Sequence, residues 1–150
     1  MLIRVFLIPI LIGIVVLRCF AEKSIPVKSL PDSVKADFVQ RFPNAQIKAC
    51  SQEKRKGTVV YEVESIDNKL NRDIIYSPDG KALEIEERIL ESSLPTSVTH
   101  SIQSEYANST YKRIEKLTRG DSVEHEVILS VDGKRFEIVA DSTGKILNKK

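Results

Sequence analysis

The sequence predicts an α+β fold of two tandem repeats, each with one helix followed by a four-stranded antiparallel sheet. The first observation behind this prediction is a repeated hexapeptide: SLPDSV at residues 29–34 returns as SLPTSV at residues 93–98, a shift of 64 residues. The second is that apolar residues recur every four positions after each hexapeptide, and the third is that apolar and polar residues then alternate. These are the periods of a helix and of half-buried strands.

The similarity between the two halves continues beyond the hexapeptide and needs no gap. At the same shift of 64 residues, Gly80 aligns with Gly144 and the residues around them also match. Self-similarity at one fixed period indicates duplicated structural units. We therefore assign residues 22–90 to a first repeat and residues 91–150 to a second.

Each predicted helix presents one apolar stripe. The stripe residues are Leu30, Val34, Phe38 and Phe42 in the first repeat, and Leu94, Val98, Ile102 and Tyr106 in the second. Pro31 and Pro95 suit the first helical turn, where a missing N–H costs nothing. The hexapeptide is thus interpreted as a helix start, not as a ligand-binding motif.

Turn residues divide the remainder of each repeat. Turns are predicted at 56–58, 66–68 and 77–80 in the first repeat, and at 119–121, 131–133 and 142–144 in the second. Glycine, aspartate and asparagine are the usual residues of such turns. Three turns imply four antiparallel strands after each helix.

The N-terminus has the layout of a secretory signal peptide. Residues 1–21 contain Arg4 and Arg18 but no acid, and an apolar run extends from Val5 to Leu17. Small residues at the end of this segment predict cleavage after Ala21. The alternative is a retained membrane anchor, but the apolar run is shorter than the roughly 20 residues that span a bilayer. We therefore expect a periplasmic or secreted protein that meets a membrane only if the segment is not cleaved.

Charge excludes one class of partner. The chain has 23 basic and 21 acidic residues, and two of the basic ones lie in the predicted signal peptide, so the rest of the chain is neutral. Nucleic-acid binding needs clustered positive charge. We expect no nucleic-acid partner; the expected partner is an extracytoplasmic protein.

No catalytic constellation is recognisable, so we predict no catalytic residue, no metal ligand, no cofactor and no enzymatic activity. Cys50 is left without a disulfide partner once Cys19 leaves with the signal peptide, and the two histidines, His100 and His125, stand in no known motif. An activated thiol needs a nearby base. We interpret Cys50 as a small strand residue and His125 as a structural histidine.

The strand phase predicts an acidic surface. If the helices cover one face of the sheet, five glutamates project from the other, open face. They are Glu62, Glu64, Glu124, Glu126 and Glu137. These residues form either a recognition surface for a partner protein or an ordinary solvated surface.

The sequence also resembles a known family. The pattern Leu-Pro-x-x-Val at the helix start, FPNAQIK at residues 42–48, YEVE at 61–64 and SPDGKAL at 77–83 are similar to the PepSY-like family of small secreted bacterial proteins, which resemble the β-lactamase inhibitor protein in fold. The resemblance implies one helix and a four-stranded antiparallel sheet per repeat. It also implies a concave sheet surface of the kind with which the inhibitor protein grips its enzyme.

These observations together predict a secreted, non-enzymatic binding module, in the specific form of an inhibitor or modulator of an extracytoplasmic protein. The alternative is an envelope protein that binds a small ligand or a metal ion through its surface acids. A hydrolase is the remaining alternative, and it would need Cys50 close to one of the two histidines.

Overall fold

The structure is a computed structural model that describes residues 23–150. The predicted signal peptide, residues 1–21, lies outside the described residues, and so does Cys19. Of the helices within residues 23–150, none is long and apolar enough to cross a membrane.

Each repeat contains one helix followed by four strands, as predicted. The helices are α1 (Asp32–Arg41) and α2 (Thr96–Glu105), and each follows a single 3-10 turn, Val27–Ser29 or Glu91–Ser93. The strands are β1 (Lys23–Ser24), β2 (Gln46–Arg55), β3 (Thr58–Asp67), β4 (Leu70–Tyr76), β5 (Ala82–Arg88), β6 (Thr110–Arg119), β7 (Ser122–Val131), β8 (Lys134–Asp141) and β9 (Ile146–Lys149). The two-residue strand β1 was not predicted.

The prediction of two separate four-stranded sheets is wrong, because all the strands form one nine-stranded antiparallel sheet in chain order. Strand β5 of the first repeat pairs with β6 of the second, from Ile85 opposite Thr118 to Arg88 opposite Glu115. The outer edges of two separate sheets would present unpaired backbone N–H and C=O groups. Joining the repeats edge to edge gives these groups hydrogen-bond partners.

Ion pairs reinforce the junction on the side of the sheet that carries the helices. The Glu87 carboxylate of β5 forms ion pairs with Arg72 Nε at 2.8 Å and with Lys116 Nζ at 2.7 Å. Burial opposes the ionisation of Glu87, but the hydrogen bonds from Lys116 and Arg72 outweigh it and hold its pKa below the ordinary value. Lys116 belongs to the second repeat, so this carboxylate links the two repeats through side chains as well as through the backbone.

The helices pack on one face of the sheet over two hydrophobic cores. The first core contains Leu30, Val34, Phe38, Cys50, Val63, Ile74 and Tyr76. The second contains Leu94, Val98, Ile102, Ile114, Val127, Leu129, Ile138 and Ala140. Burial of these apolar side chains provides the main driving force for the fold.

Each helix start is fixed to the turn that precedes the last strand of its repeat. The Ser33 hydroxyl donates a hydrogen bond to the carbonyl oxygen of Pro78 at 2.9 Å, and the Ser97 hydroxyl donates to that of Ser142 at 2.8 Å. Both serines belong to the repeated hexapeptide. The repeated phrase therefore has a structural function beyond its apolar stripe, since it positions the helix on the sheet.

Glycine is required where these turns meet the helices. Gly80 has φ of +87° and Gly144 has φ of +89°, the left-handed region that side chains disfavour. A Cβ at Gly80 would lie 2.6 Å from the backbone oxygen of Ser33, and one at Gly144 would lie 2.5 Å from that of Ser97. The turns can approach the helices this closely only without a side chain.

We expect Gly80→Ala to destabilise the protein more than Gly57→Ala does. Gly57 has a similar φ of +84°, but a Cβ there would meet nothing within 4 Å, so alanine costs only the backbone strain of about 1–2 kcal/mol. At Gly80 the displacement of the helix start adds about 1–3 kcal/mol. Urea unfolding of the two variants measures the difference, and equal losses of stability would show that the close contact with Ser33 does not matter.

Candidate functional site

All five predicted glutamates lie on the open face, which we define as the face of the sheet opposite the two helices. Val63, Val127 and Ile138 point into the cores beneath the helices, so the residues beside them in the strands point the other way. These include Glu62 and Glu64 on β3, Glu124 and Glu126 on β7, and Glu137 on β8.

The structure does not bring the five glutamates into one cluster. Strands β4, β5 and β6 separate the two glutamates of β3 from the other three. Glu126 lies 3.3 Å from Arg113, Glu124 lies 3.6 Å from Arg119 and Glu137 lies 2.7 Å from Lys150. The Ser51 hydroxyl donates a hydrogen bond to Glu62 at 3.4 Å. Most of the predicted acids are therefore partly neutralised by neighbours within the chain.

The centre of the open face is formed by acids that the sequence prediction missed. Asp73 on β4 stands opposite Glu64 on one side and Glu86 of β5 on the other, and Glu115 of β6 stands opposite Glu126. A sequence signal did exist, because Glu84 and Glu86 flank the core-facing Ile85 with the period of a strand. Asp73, Glu86 and Glu115 connect the two predicted glutamates of β3 with the three of β7 and β8. We call this row of acids across the sheet the acidic band.

The acids in this band raise one another's pKa. The pKa of Glu86 is raised to about 7. Burial is the largest cause, and the charges of Glu115, Asp73, Glu126 and Glu84 act in the same direction. Burial, with the neighbouring Glu64, also raises the pKa of Asp73. Burial raises the pKa of Glu115 more than Arg113 lowers it. The centre of the open face therefore holds one carboxyl group, that of Glu86, which is only partly ionised near neutral pH.

Two arginines at equivalent positions of the repeats converge on one carboxylate. Arg119 Nε lies 2.6 Å from Glu84 Oε2, and Arg55 Nη1 lies 3.9 Å from Glu84 Oε1. Arg55 is on β2, so its side chain extends across β3 and β4 toward the carboxylate on β5.

The open face also contains apolar side chains. Val60 on β3 and Ile75 on β4 are only 2% and 4% exposed, although no described helix covers this face. They belong to the two strands over which Arg55 reaches to Glu84. Long side chains shield apolar surface with their aliphatic stems while their charged ends stay hydrated. The face thus combines a set of shielded apolar side chains with an acidic band.

The residues considered for catalysis are not brought together. Cys50 is buried in the first core, where burial, with the charge of Glu64, raises the pKa of its thiol. His125 on β7 is 3% exposed, and burial, with the charge of Lys116, lowers its pKa. Four strands lie between β2 and β7, and His100 is exposed on α2. In the part of the chain that the structure describes, no three His, Cys, Asp or Glu side chains are grouped so as to hold a metal ion.

We expect Glu86→Gln to make the protein less sensitive to rising pH. The pKa of Glu86 is about 7 in the folded protein, against an ordinary value of 4.5, so its protonated form stabilises the fold fully below about pH 4.5. This stabilisation is lost as the pH rises through about 7, whereas glutamine does not titrate. Thermal melts from pH 5 to pH 8 should show the Tm of the variant rising relative to that of the wild type.

The matched control for this experiment is Glu105→Gln, which removes an exposed carboxylate from the helix side. If the Tm of Glu86→Gln followed that of the wild type in parallel across the whole range, Glu86 would not titrate abnormally.

The chain matches the model of a protein family over two segments. The family described as "Putative beta-lactamase-inhibitor-like, PepSY-like" matches residues 20–84 and again residues 60–148. The two matches overlap, and neither ends at residue 90, where the sequence predicts the boundary between repeats. No curated protein sequence matches the chain.

Solved structures with the same fold come from Bacteroides species. A BLIP-like protein from Bacteroides fragilis is 20% identical, with 84% of this chain and 86% of that chain covered, at a TM-score of 0.62. A DUF2874 family protein from Bacteroides uniformis is 13% identical, with coverages of 80% and 88% and a TM-score of 0.63. A third, described as one of the "putative periplasmic proteins" of Bacteroides eggerthii, is 14% identical, with coverages of 80% and 87% and a TM-score of 0.63.

At these identities the solved structures establish a shared fold and nothing further. The double match to the family covers most of the sequence, and the matched residues include those of the helix start, of strand β3 and of the turn at Gly80. The chain therefore belongs to the PepSY-like, β-lactamase-inhibitor-like family.

Proposed function

We propose that this chain is a secreted, non-enzymatic binding module that holds an extracytoplasmic protein against its open face, as an inhibitor or modulator. The observation that carries the proposal is the face itself. It is a sheet surface with an acidic band and shielded apolar side chains, and no described helix covers it. Helices occupy the opposite face, so the open face is the large continuous surface left for a partner.

The chemistry of the face favours a partner surface that carries lysine or arginine side chains. Charges on an interface steer encounter and exclude wrong partners, while a small buried centre supplies most of the affinity. Glu64 is exposed and forms no ion pair within residues 23–150, so its charge is available to a partner. A partner cation near Glu86 and Asp73 would also relieve the repulsion between their carboxylates.

Two further observations support an extracytoplasmic role without enzymatic activity. The N-terminal sequence has the layout of a signal peptide, and a solved structure of the same fold is described as periplasmic. Cys50 and His125 are both buried, in strands far apart in the sheet, which does not suit nucleophilic catalysis.

The test is capture of a partner from envelope extract with the tagged mature protein. We expect one partner in stoichiometric amount, and its capture should fall about tenfold or more when Glu62, Glu64 and Glu126 are all changed to lysine. The single change Glu64→Lys should produce part of this loss, because it reverses one charge of the acidic band. It breaks no ion pair among the described residues, so a disturbed ion pair would not explain the loss.

The control is Asp32→Lys, which reverses an exposed charge on α1, on the other side of the sheet. Capture should be unaffected by this change. A partner that binds the triple variant as tightly as the wild type would exclude the acidic face as the recognition surface.

A further inference from the structure

A second charged region of the open face has the opposite sign. A cavity of about 400 Å³ opens where β5 ends and β6 begins, near the turn between β7 and β8. Its lining includes Arg88, Lys112, Arg113, Ile128, Ser130 and Arg135. Four cationic side chains from three strands thus meet at one cavity in a protein whose mature chain is neutral overall.

A β-bulge brings two of these cations together. Tyr111 pairs with Leu129 and Arg113 pairs with Ile128, which leaves Lys112 as the extra residue of β6. A bulge places two consecutive residues opposite one partner and re-aims their side chains. Lys112 and Arg113 therefore line the same cavity, although consecutive residues of a regular strand would point to opposite faces.

Part of this positive charge forms no ion pair among the described residues. Arg113 is neutralised by Glu115 at 3.1 Å and Glu126 at 3.3 Å. Arg88 donates a hydrogen bond to the backbone oxygen of Lys112 at 3.4 Å and stands opposite Glu115 on the neighbouring strand, so its charge acts on that carboxyl. Within residues 23–150, the side chains of Lys112 and Arg135 form no ion pair. Like charges held close together without a partner are unfavourable, and an anion between them removes that cost.

We propose that this cavity is a binding site for a phosphate-bearing ligand. Arginine side chains match the oxygens of a phosphate with paired hydrogen bonds, and a lysine adds a point charge. The charges of Lys112 and Arg135, which form no ion pair among the described residues, exceed what a single carboxylate would neutralise, whereas a phosphate carries more charge and more acceptor oxygens. This site is separate from the acidic band and does not depend on the proposed protein partner.

The first repeat supplies a matched comparison. It has the same bulge between Ile47 and Ala49, with Lys48 as the extra residue, 64 positions before Lys112. At the same shift, however, Ala49 stands in place of Arg113 and Asn71 in place of Arg135. The bulge is therefore common to both repeats, whereas the cations gather only around the bulge of the second.

The test uses two probes, inorganic pyrophosphate in solution and phospholipid vesicles with or without phosphatidylglycerol. Calorimetry at low salt should show one pyrophosphate bound per chain, with the affinity reduced about tenfold or more by Lys112→Gln and by Arg135→Gln, since each removes a charged contact. Lys48→Gln should leave the affinity unchanged. The melting temperature of each variant checks that the fold is intact.

The two probes distinguish the source of the phosphate. Binding of pyrophosphate with this pattern of variants supports a soluble phosphate ligand. Binding only to vesicles with phosphatidylglycerol, weakened by the same two variants, supports a lipid headgroup. Absence of binding to both probes, or an equal loss with Lys48→Gln, overturns the proposal.

Discussion

The fold depends on a close contact between each helix start and a glycine turn of the sheet. The turns at Gly80 and Gly144 approach the backbone of Ser33 and Ser97 so closely that no side chain fits between them. The serine hydroxyls then bond to carbonyls of the same turns. Because this contact fixes the position of each helix, it also determines which face of the sheet is covered and which remains open.

The second constraint is the shared sheet. Pairing of β5 with β6 converts two small units into one surface, and a 60-residue unit alone buries little core. The same pairing places Glu86 of the first repeat beside Glu115 of the second, so the abnormal titration of the open face arises at the junction. The cavity with four cations lies at the end of this junction, where β5 ends at Arg88. Both charged regions therefore include residues from each side of this junction.

Local patterns in the sequence predicted the parts of the structure that depend on local geometry. The spacing of Val34 and Phe38 predicted the core face of α1, and the alternation around Val63 placed Glu62 and Glu64 on the open face. The single sheet was not predictable in this way, because nothing in the period of β5 specifies the strand that pairs with its outer edge. The same alternation predicted the glutamates of β3, β7 and β8. Their connection into one band and the cluster of cations join residues that are distant in the chain, which no local pattern specifies.

The chain order of the strands also has a kinetic consequence. Most neighbouring strands are joined by short turns and can pair as hairpins, but β5 and β6 pair only after the segment that contains α2 has been ordered. Closing a longer loop costs more entropy before any contact repays it. The junction between the repeats is therefore expected to form late in folding. Weakening its ion pairs at Glu84 and Glu87 would then accelerate unfolding more than it slows folding.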